Sequence, residues 1–380
     1  MNENLLMQNL AVAPAQGVRA YRTKYAHKLK SNKYAYQNYR KYIAWRKSPL
    51  AQPVDFMPFK VNLTPNSTCN LKCSMCEVSN FIDGKRAADM DLDTFREIVG
   101  ANEHILEYSI TGLAEPTLLK DLGQYLRCLN ETKAWVHMVT NATLLHNENI
   151  LTSLVENCPD EIQVSIDSAD PSKYETIRRG SKFARVRENA KLLNSALVKV
   201  GKYKITKLCS VYQEIGVEPL YRLLDLAAET GFSCLAVTID MHDWGSRLWS
   251  KNLEHTNDRI LESRQGLIDY ASSLNLNLQL VTTTGNYSVR SDPKMSTLSE
   301  SGRCPWAFIR AFISSDKKLV PCCHISSPDI FSLGDFGELG SYSLESLNKL
   351  PSMIKFRKMH IDGDLPEVCK ACYACNELKI

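Results

Sequence analysis

The sequence predicts an α/β chain: a partial, TIM-like (β/α)6 barrel over residues 58–299, a basic helical extension over residues 1–57, and a small α+β domain over residues 300–380. Three observations predict it. Short apolar runs alternate with helix-patterned segments through the middle of the chain, which implies a parallel sheet with right-handed crossovers. A basic, aromatic stretch without acids precedes them, and a hairpin pattern with clustered cysteines follows. With 44% hydrophobic and 23% charged residues over 380 positions, wholesale disorder is excluded and more than one small domain is expected. No apolar run approaches the roughly 18–20 residues of a membrane helix. Met1 to Gln16 lacks a basic region followed by an apolar one, so a cytoplasmic protein with no membrane partner is expected.

The extension comes first. No acid lies between Glu3 and Asp55, whereas Arg19 to Lys47 supplies ten Lys or Arg, so the rest of the chain sums to −6 against the net +4. Val18, Tyr21, Tyr25 and Leu29 recur at helical spacing, as do Tyr36, Tyr39 and Ile43, which predicts one or two amphipathic helices ending before Pro49. Basic residues interleaved with Tyr can bind RNA or another anionic partner. The alternative is an aromatic face packed on the main domain, with the basic face merely solvated; a nucleic acid partner is therefore not expected.

Strands are predicted at 60–64, 108–111, 136–140, 162–166, 204–211, 235–239 and 276–281. Helical segments lie between them, such as 93–102, 219–230 and 257–273. Six or so β/α units in about 225 residues fit a full or partial barrel. Beyond residue 300, a hairpin is predicted around Asp316-Lys317 and a helix over 344–359. This domain has a modest core, so bound metal would help hold it together.

Cysteine is the unusual component, with 13 copies. Without an export signal, and with an odd count, disulfides are a poor explanation, and the grouping points to metal instead. Cys69, Cys73 and Cys76 fall together; Cys304, Cys322, Cys323, Cys369, Cys372 and Cys375 lie near the carboxyl end. Cys128, Cys158, Cys209 and Cys234 stand alone and are expected to be mostly buried small hydrophobes. Three thiolates on one short loop can each hold one iron of a cubane cluster, leaving the fourth iron open to a chelating small molecule. A zinc ion completed by a remote ligand also suits the spacing, as does a zinc ribbon for the carboxyl-terminal group.

The loop Cys69-Asn-Leu-Lys-Cys73-Ser-Met-Cys76, directly after the first predicted strand, resembles the signature of the radical S-adenosylmethionine superfamily. Thr111-Gly112-Leu113-Ala114-Glu115-Pro116 ends the second strand and is similar to that family's Gly-Gly-Glu-Pro segment. The resemblance implies that Gly112 and Ala114 let the backbone approach the methionyl part of S-adenosylmethionine. It also implies that Glu115 accepts from the α-ammonium group. Val139-Thr140-Asn141-Ala142 resembles a Thr-Asn-Gly segment of the family. Val164-Ser165-Ile166-Asp167, with Tyr174 to Arg178 after it, resembles a segment whose Ser and Asp lie near the ribose. Met75 stands where an aromatic is usual and can pack on adenine through its thioether. Four such fragments in order, each at a strand's carboxyl end, favour the cluster over zinc.

The tail, with Cys304-Pro-Trp306, Val320-Pro-Cys322-Cys323 and Leu365-Pro-Glu-Val-Cys369-Lys-Ala-Cys372, is similar to the SPASM/twitch extension of these enzymes. That resemblance implies one auxiliary 4Fe–4S cluster on Cys304, Cys322, Cys369 and Cys372, hence two 4Fe–4S clusters in all. Cys323 or Cys375 would replace a ligand or serve as a hydrogen-atom donor. The implied chemistry is reductive cleavage of S-adenosylmethionine to a 5′-deoxyadenosyl radical that takes hydrogen from an unactivated carbon. The electron would come from an external donor such as flavodoxin or ferredoxin.

The substrate is expected to be a hydroxylated small molecule, of sugar or aminocyclitol type, that is oxidised or epimerised. A peptide or protein maturase is the second reading and an RNA-directed protein the third. His242 and Asp243, after the sixth predicted strand, are candidates for removing a hydroxyl proton.

Overall fold

The structure, a computed structural model, describes residues 24–45, 54–80, 85–239, 259–260, 262–281, 286–288, 306–320, 331–336 and 340–366, with the single positions 322, 328, 338 and 369. Seven parallel strands form its centre: β1 (Lys60–Leu63), β2 (Glu107–Ile110), β3 (Trp135–Thr140), β4 (Glu161–Ser165), β5 (Thr206–Val211), β6 (Cys234–Thr238) and β7 (Asn277–Val281). Each lies within two residues of the strand expected from sequence. The sheet is open, so the architecture is a partial, TIM-like barrel.

Burial alternates along the middle strands. Val136, Met138, Ile162, Val164 and Leu208 face the helices and are fully buried, whereas His137, Gln163 and Cys209 face inward and are only half-buried. A parallel sheet covered on both faces by apolar packing would not alternate in this way. The inner face therefore bounds a lumen.

The helices that cover the outer face begin where their sequences supply caps. In α3 (Leu92–Gly100), Asp91 accepts from the Thr94 amide; α5 (Glu148–Glu156) starts on Asn147; and α6 (Pro171–Ile177) combines an Asp170 cap with proline in its first turn. Three further helices, α4 (Leu122–Glu131), α7 (Phe183–Lys199) and α8 (Glu218–Glu229), carry wide buried faces. Arg264–Ser273 (α9) lies within the helix expected at 257–273, where Arg259, Ile260 and Glu262 are helical too. None of the described helices is long and apolar enough to cross a membrane.

The extension forms α1 (Ala26–Ser31) and α2 (Lys33–Trp45), and it packs as the aromatic pattern suggests. Tyr25, Tyr39, Tyr42 and Trp45 are buried, with Tyr39 edge-on to Phe59 at 5.5 Å and Trp45 at 4.9 Å from Phe308. Asn38 exchanges two hydrogen bonds with the Met57 backbone, at 2.8 and 3.0 Å, fixing α2 just ahead of β1. These contacts place the extension under the amino-terminal ends of the strands.

The structure adds a pairing that the sequence did not show. In the tail, β9 (Arg310–Ile313), which follows α10 (Trp306–Ile309), pairs in parallel with β1, Lys60 opposite Arg310 and Leu63 opposite Ile313. Its hairpin partner β10 (Lys318–Val320) and β11 (Gly334–Asp335) continue the same sheet, while β8 (Asn286–Ser288) closes the far side antiparallel to β7. The helix expected at 344–359 is broken. A 3-10 turn, Ser346–Lys349, precedes α11 (Pro351–Asp362), because proline pushes Leu350 out of the helical region, to φ −70 and ψ 120.

Candidate functional site

The mouth of the lumen is built on the loop after β1. Lys72 donates its amide to Arg179 O at 2.9 Å and Ser74 to Ile177 O at 2.8 Å, so the end of α6 holds the loop from one side. Cys69, Cys73 and Cys76 pack together with Leu71 and Met75 in a small apolar cluster of their own. Burial pushes the Cys69 and Cys76 thiols up to about 12 and raises Cys73 as well, with the Arg178 guanidinium opposing the rise at Cys73. None of the described cysteines forms a disulfide.

All three sulfur-bearing residues line a cavity of about 440 Å³ that continues into the lumen. Met75, Gly112, Ala114, Glu115, Thr140, Asn141 and Ser165 line it too. Gly112 is required where it stands. Its φ is +146, and a Cβ there would come within 2.3 Å of Thr64 Oγ1.

Glu115 and Asp167, both expected at the cofactor, are held by bonds of their own. Glu115 is fully buried, and its carboxylate accepts from Thr117 Oγ1, Thr140 Oγ1 and the Thr117 amide on Oε1, and from the Asn141 amide at 2.7 Å on Oε2. Three of these donors crowd Oε1, and Oε2, with one, keeps an acceptor position. Glu115 thus ties the β2 loop to the β3 loop while lining the cavity. Burial raises its carboxyl's pKa, and the four donors pull against that rise. Asp167 is likewise fully buried, accepting from Arg178 Nε at 2.6 Å and the Val211 amide at 2.9 Å, and it does not line the cavity. Ser165 takes a cavity-facing position, and Asp167 holds Arg178, which lines the cavity together with Cys73. Burial opposes the charge on Arg178, yet Asp167 and the Cys73 sulfur hold its pKa above the ordinary value.

Asn141 is the residue that joins these pieces. Its Nδ2 donates to Asn70 Oδ1 at 2.9 Å inside the cysteine loop, and its Oδ1 accepts from Thr143.

Deeper in the lumen, Asn62, His137, Gln163, Gln279, Trp306 and Arg310 line the cavity. Sequence reading missed these. The readable signal was the polar residue at every second position of β4, Glu161, Gln163 and Ser165, with His137 on β3. Cys209, expected as core, faces this lumen. Arg310 stacks on Trp306, 4.1 Å from the ring centre, and donates to Asn62 Oδ1 at 2.7 Å.

The floor below is ionic. Glu107 meets Lys24 at 3.0 Å, Lys60 at 3.3 Å and Arg310 at 3.5 Å, and accepts from the Tyr25 hydroxyl. Burial works against its charge, but the three cations hold its carboxyl well below the usual range.

His242, Asp243, Cys304, Cys323, Cys372 and Cys375 lie outside the described residues. Of the expected auxiliary ligands, Cys322 is half-buried and Cys369 buried.

Comparison with known proteins assigns this geometry. A model described as the radical SAM superfamily matches residues 63–226, and an iron–sulfur cluster-binding domain, SPASM, matches 304–373. The chain belongs to the radical SAM superfamily. The crystal structure of Streptococcus suis SuiB bound to S-adenosylmethionine superposes with a TM-score of 0.62 at 21% identity, covering 85% of this chain and 72% of that one. SuiB bound to the precursor peptide SuiA gives 0.62 at 20% identity, covering 89% and 74%. Among curated proteins, a probable GTP 3′,8-cyclase of Methanococcus maripaludis is 31% identical over 137 residues, and a GTP 3′,8-cyclase of Vibrio cholerae is 25% identical over 132. These matches cover 34% of this chain and 43% and 39% of the two relatives, less than half of either.

The two domains imply S-adenosylmethionine and 4Fe–4S clusters as cofactors of this radical SAM enzyme. The residues present fit them: three sulfurs stand on one wall of a cavity whose adjoining backbone has no room for a Cβ at Gly112.

Proposed function

We propose that this radical SAM enzyme takes a hydrogen atom from a hydroxylated small molecule, of sugar or aminocyclitol type, and oxidises or epimerises it. The observation that carries this reading is the lumen. Its side chains Asn62, Gln163, Ser165 and Gln279 are neutral hydrogen-bonding groups, and its floor is shut by Lys24, Tyr25 and Glu107, which suits a compact polar substrate better than an extended chain.

Cys69, Cys73 and Cys76 would hold the first 4Fe–4S cluster; Gly112, Ala114, Thr140, Asn141, Ser165 and Met75 would surround S-adenosylmethionine. Glu115, which lines the cavity, would accept from the α-ammonium group, and Asp167, bonded to Arg178, would act near the ribose. When bound, the cofactors supply a 5′-deoxyadenosyl radical able to take hydrogen from an unactivated carbon. Asn62, Gln163 and Gln279 orient the hydroxyl groups of the substrate, and His242 or Asp243 receives the hydroxyl proton as a carbonyl forms. Cys304, Cys322, Cys369 and Cys372 would hold one auxiliary 4Fe–4S cluster, which would supply an electron acceptor, and Cys323 would be the alternative donor of hydrogen in an epimerisation. An external flavodoxin- or ferredoxin-type protein supplies the first electron.

The fold likeness to SuiB, seen with its precursor peptide, favours peptide modification as the second reading. One experiment separates the two. Anaerobically reconstituted enzyme is incubated with reductant, S-adenosylmethionine and either deuterated polyols and aminocyclitols or a peptide encoded beside the gene. Deuterium in 5′-deoxyadenosine from a polyol supports the proposal; transfer only from peptide overturns it in favour of maturation. Iron and sulfide analysis should give roughly eight irons per chain; about four would remove the auxiliary cluster.

A further inference from the structure

The side of α11 that faces the tail carries two buried polar groups, away from the lumen. Arg357 is 4% exposed. Its Nε donates to Ala307 O at 2.9 Å and its Nη1 to Asn348 Oδ1 at 2.7 Å, but its buried Nη2 meets no acceptor among the described residues. One helical turn on, His360 is 2% exposed, and its Nε2 lies 3.7 Å from the sulfur of buried Cys369. His360 Nδ1 has no partner among the described residues.

A guanidinium taken out of water without an anion is expensive, and burial lowers the Arg357 pKa to about 10 with no described carboxylate raising it. Such a site is normally completed by a negative group. Both neighbours of Arg357 point to the same one. Ala307, its Nε acceptor, lies three residues after Cys304, and His360, at the (i, i+3) position on the same helix face, touches Cys369.

We infer that Arg357 and His360 are the positioning and charge-compensating groups of the auxiliary cluster, His360 donating Nε2–H to the Cys369 sulfur and Arg357 supplying the buried positive charge. The inference rests on the reading of Cys369 as a ligand of that cluster. A thiolate-ligated 4Fe–4S cluster is anionic and becomes more so on reduction, so a nearby cation and an N–H donor favour the reduced form and raise the potential. The pair thereby sets how readily the auxiliary cluster accepts an electron.

The test uses the full chain with Cys69, Cys73 and Cys76 all changed to Ala, so that the auxiliary cluster alone is reconstituted and titrated by EPR. His360→Phe and Arg357→Gln should each lower the ratio of reduced to oxidised cluster at fixed poise by about tenfold, the worth of one hydrogen bond to a charged group. For a one-electron couple that is a shift of about 59 mV to more negative potential. His360→Gln, which keeps an N–H donor, and Arg357→Lys, which keeps the charge, should recover part of it. An unchanged potential in His360→Phe and Arg357→Gln at full iron content overturns the inference. If either variant loses its cluster, pulsed EPR of the otherwise unsubstituted protein labelled with 15N-His and then 15N-Arg decides. Weak nitrogen couplings from both labels support the inference, and their absence overturns it. Failure of the three-Ala protein to bind any iron would instead remove the auxiliary-cluster reading on which the inference stands.

Discussion

The two ends of the barrel use the same strands for opposite purposes. At the floor, the carboxylate of Glu107 is surrounded by Lys24, Lys60, Arg310 and Tyr25, so the charges there satisfy one another and close the lumen. At the mouth the carboxylates also have partners, Glu115 in Thr117, Thr140 and Asn141, and Asp167 in Arg178. What faces the cavity there is sulfur, small residues and neutral polar groups, together with the partnered Glu115 and Arg178. Buried charge fixes the frame at both ends, and at the mouth it shares the cavity wall with groups that cost little to desolvate.

Substitutions can break this division, and the largest effect belongs to the mouth. Cys73→Ala should abolish 5′-deoxyadenosine formation while leaving the urea midpoint of the apo-protein close to that of the parent. Residual cofactor cleavage by chromatography would mean that the loop does not carry the chemistry. Glu107→Gln should do the reverse, leaving three cations around a neutral amide and costing about 3–5 kcal/mol in urea denaturation. Its substrate-independent 5′-deoxyadenosine yield per folded molecule should be unchanged.

Acid sharpens the contrast. Burial lowers His137, which lines the lumen next to the Glu107 network, and His104, which contacts Pro58 O just before β1, to about 4 each. Their unfolded value is about 6.5, so between those values the unfolded chain binds the extra protons. Stability is therefore fully present above about pH 6.5 and falls as pH drops toward 4, by on the order of 2–3 kcal/mol for each histidine. Urea midpoints measured across this range should show the loss, and His104→Gln should reduce it. The smallest change is expected for Gly112→Ala, where the added methyl meets Thr64 and the backbone is left-handed; a loss of about 1–3 kcal/mol and weaker S-adenosylmethionine binding by calorimetry are predicted.

Much of the mouth was legible before any coordinates. The cysteine spacing and the strand-end fragments identified the loops, because residues on one loop are close in sequence and in space. What escaped was pairing across the sheet. Neither Asp167 with Arg178 nor Glu115 with Thr140 and Asn141 can be read from spacing, since each depends on which loops meet. The lumen was half legible: the polar positions Glu161, Gln163 and Ser165 alternate openly, but only the strand register and the shared cavity show that Gln163 and His137 line one lumen with Arg310, far along the chain. The extension was read correctly for packing, but half-buried Lys24 in the floor and buried Lys28, which donates to Thr132 O, were not foreseen.

The parallel pairing of β9 with β1 has a consequence for anyone who cuts the molecule. A chain ended before residue 306 would lose β9 and bare the Lys60–Leu63 backbone as an unpaired strand edge beside the cysteine loop. Such an edge recruits other chains. The carboxyl-terminal segment thus acts as a built-in guard against self-association, and a truncated barrel should precipitate rather than report the activity of an isolated domain.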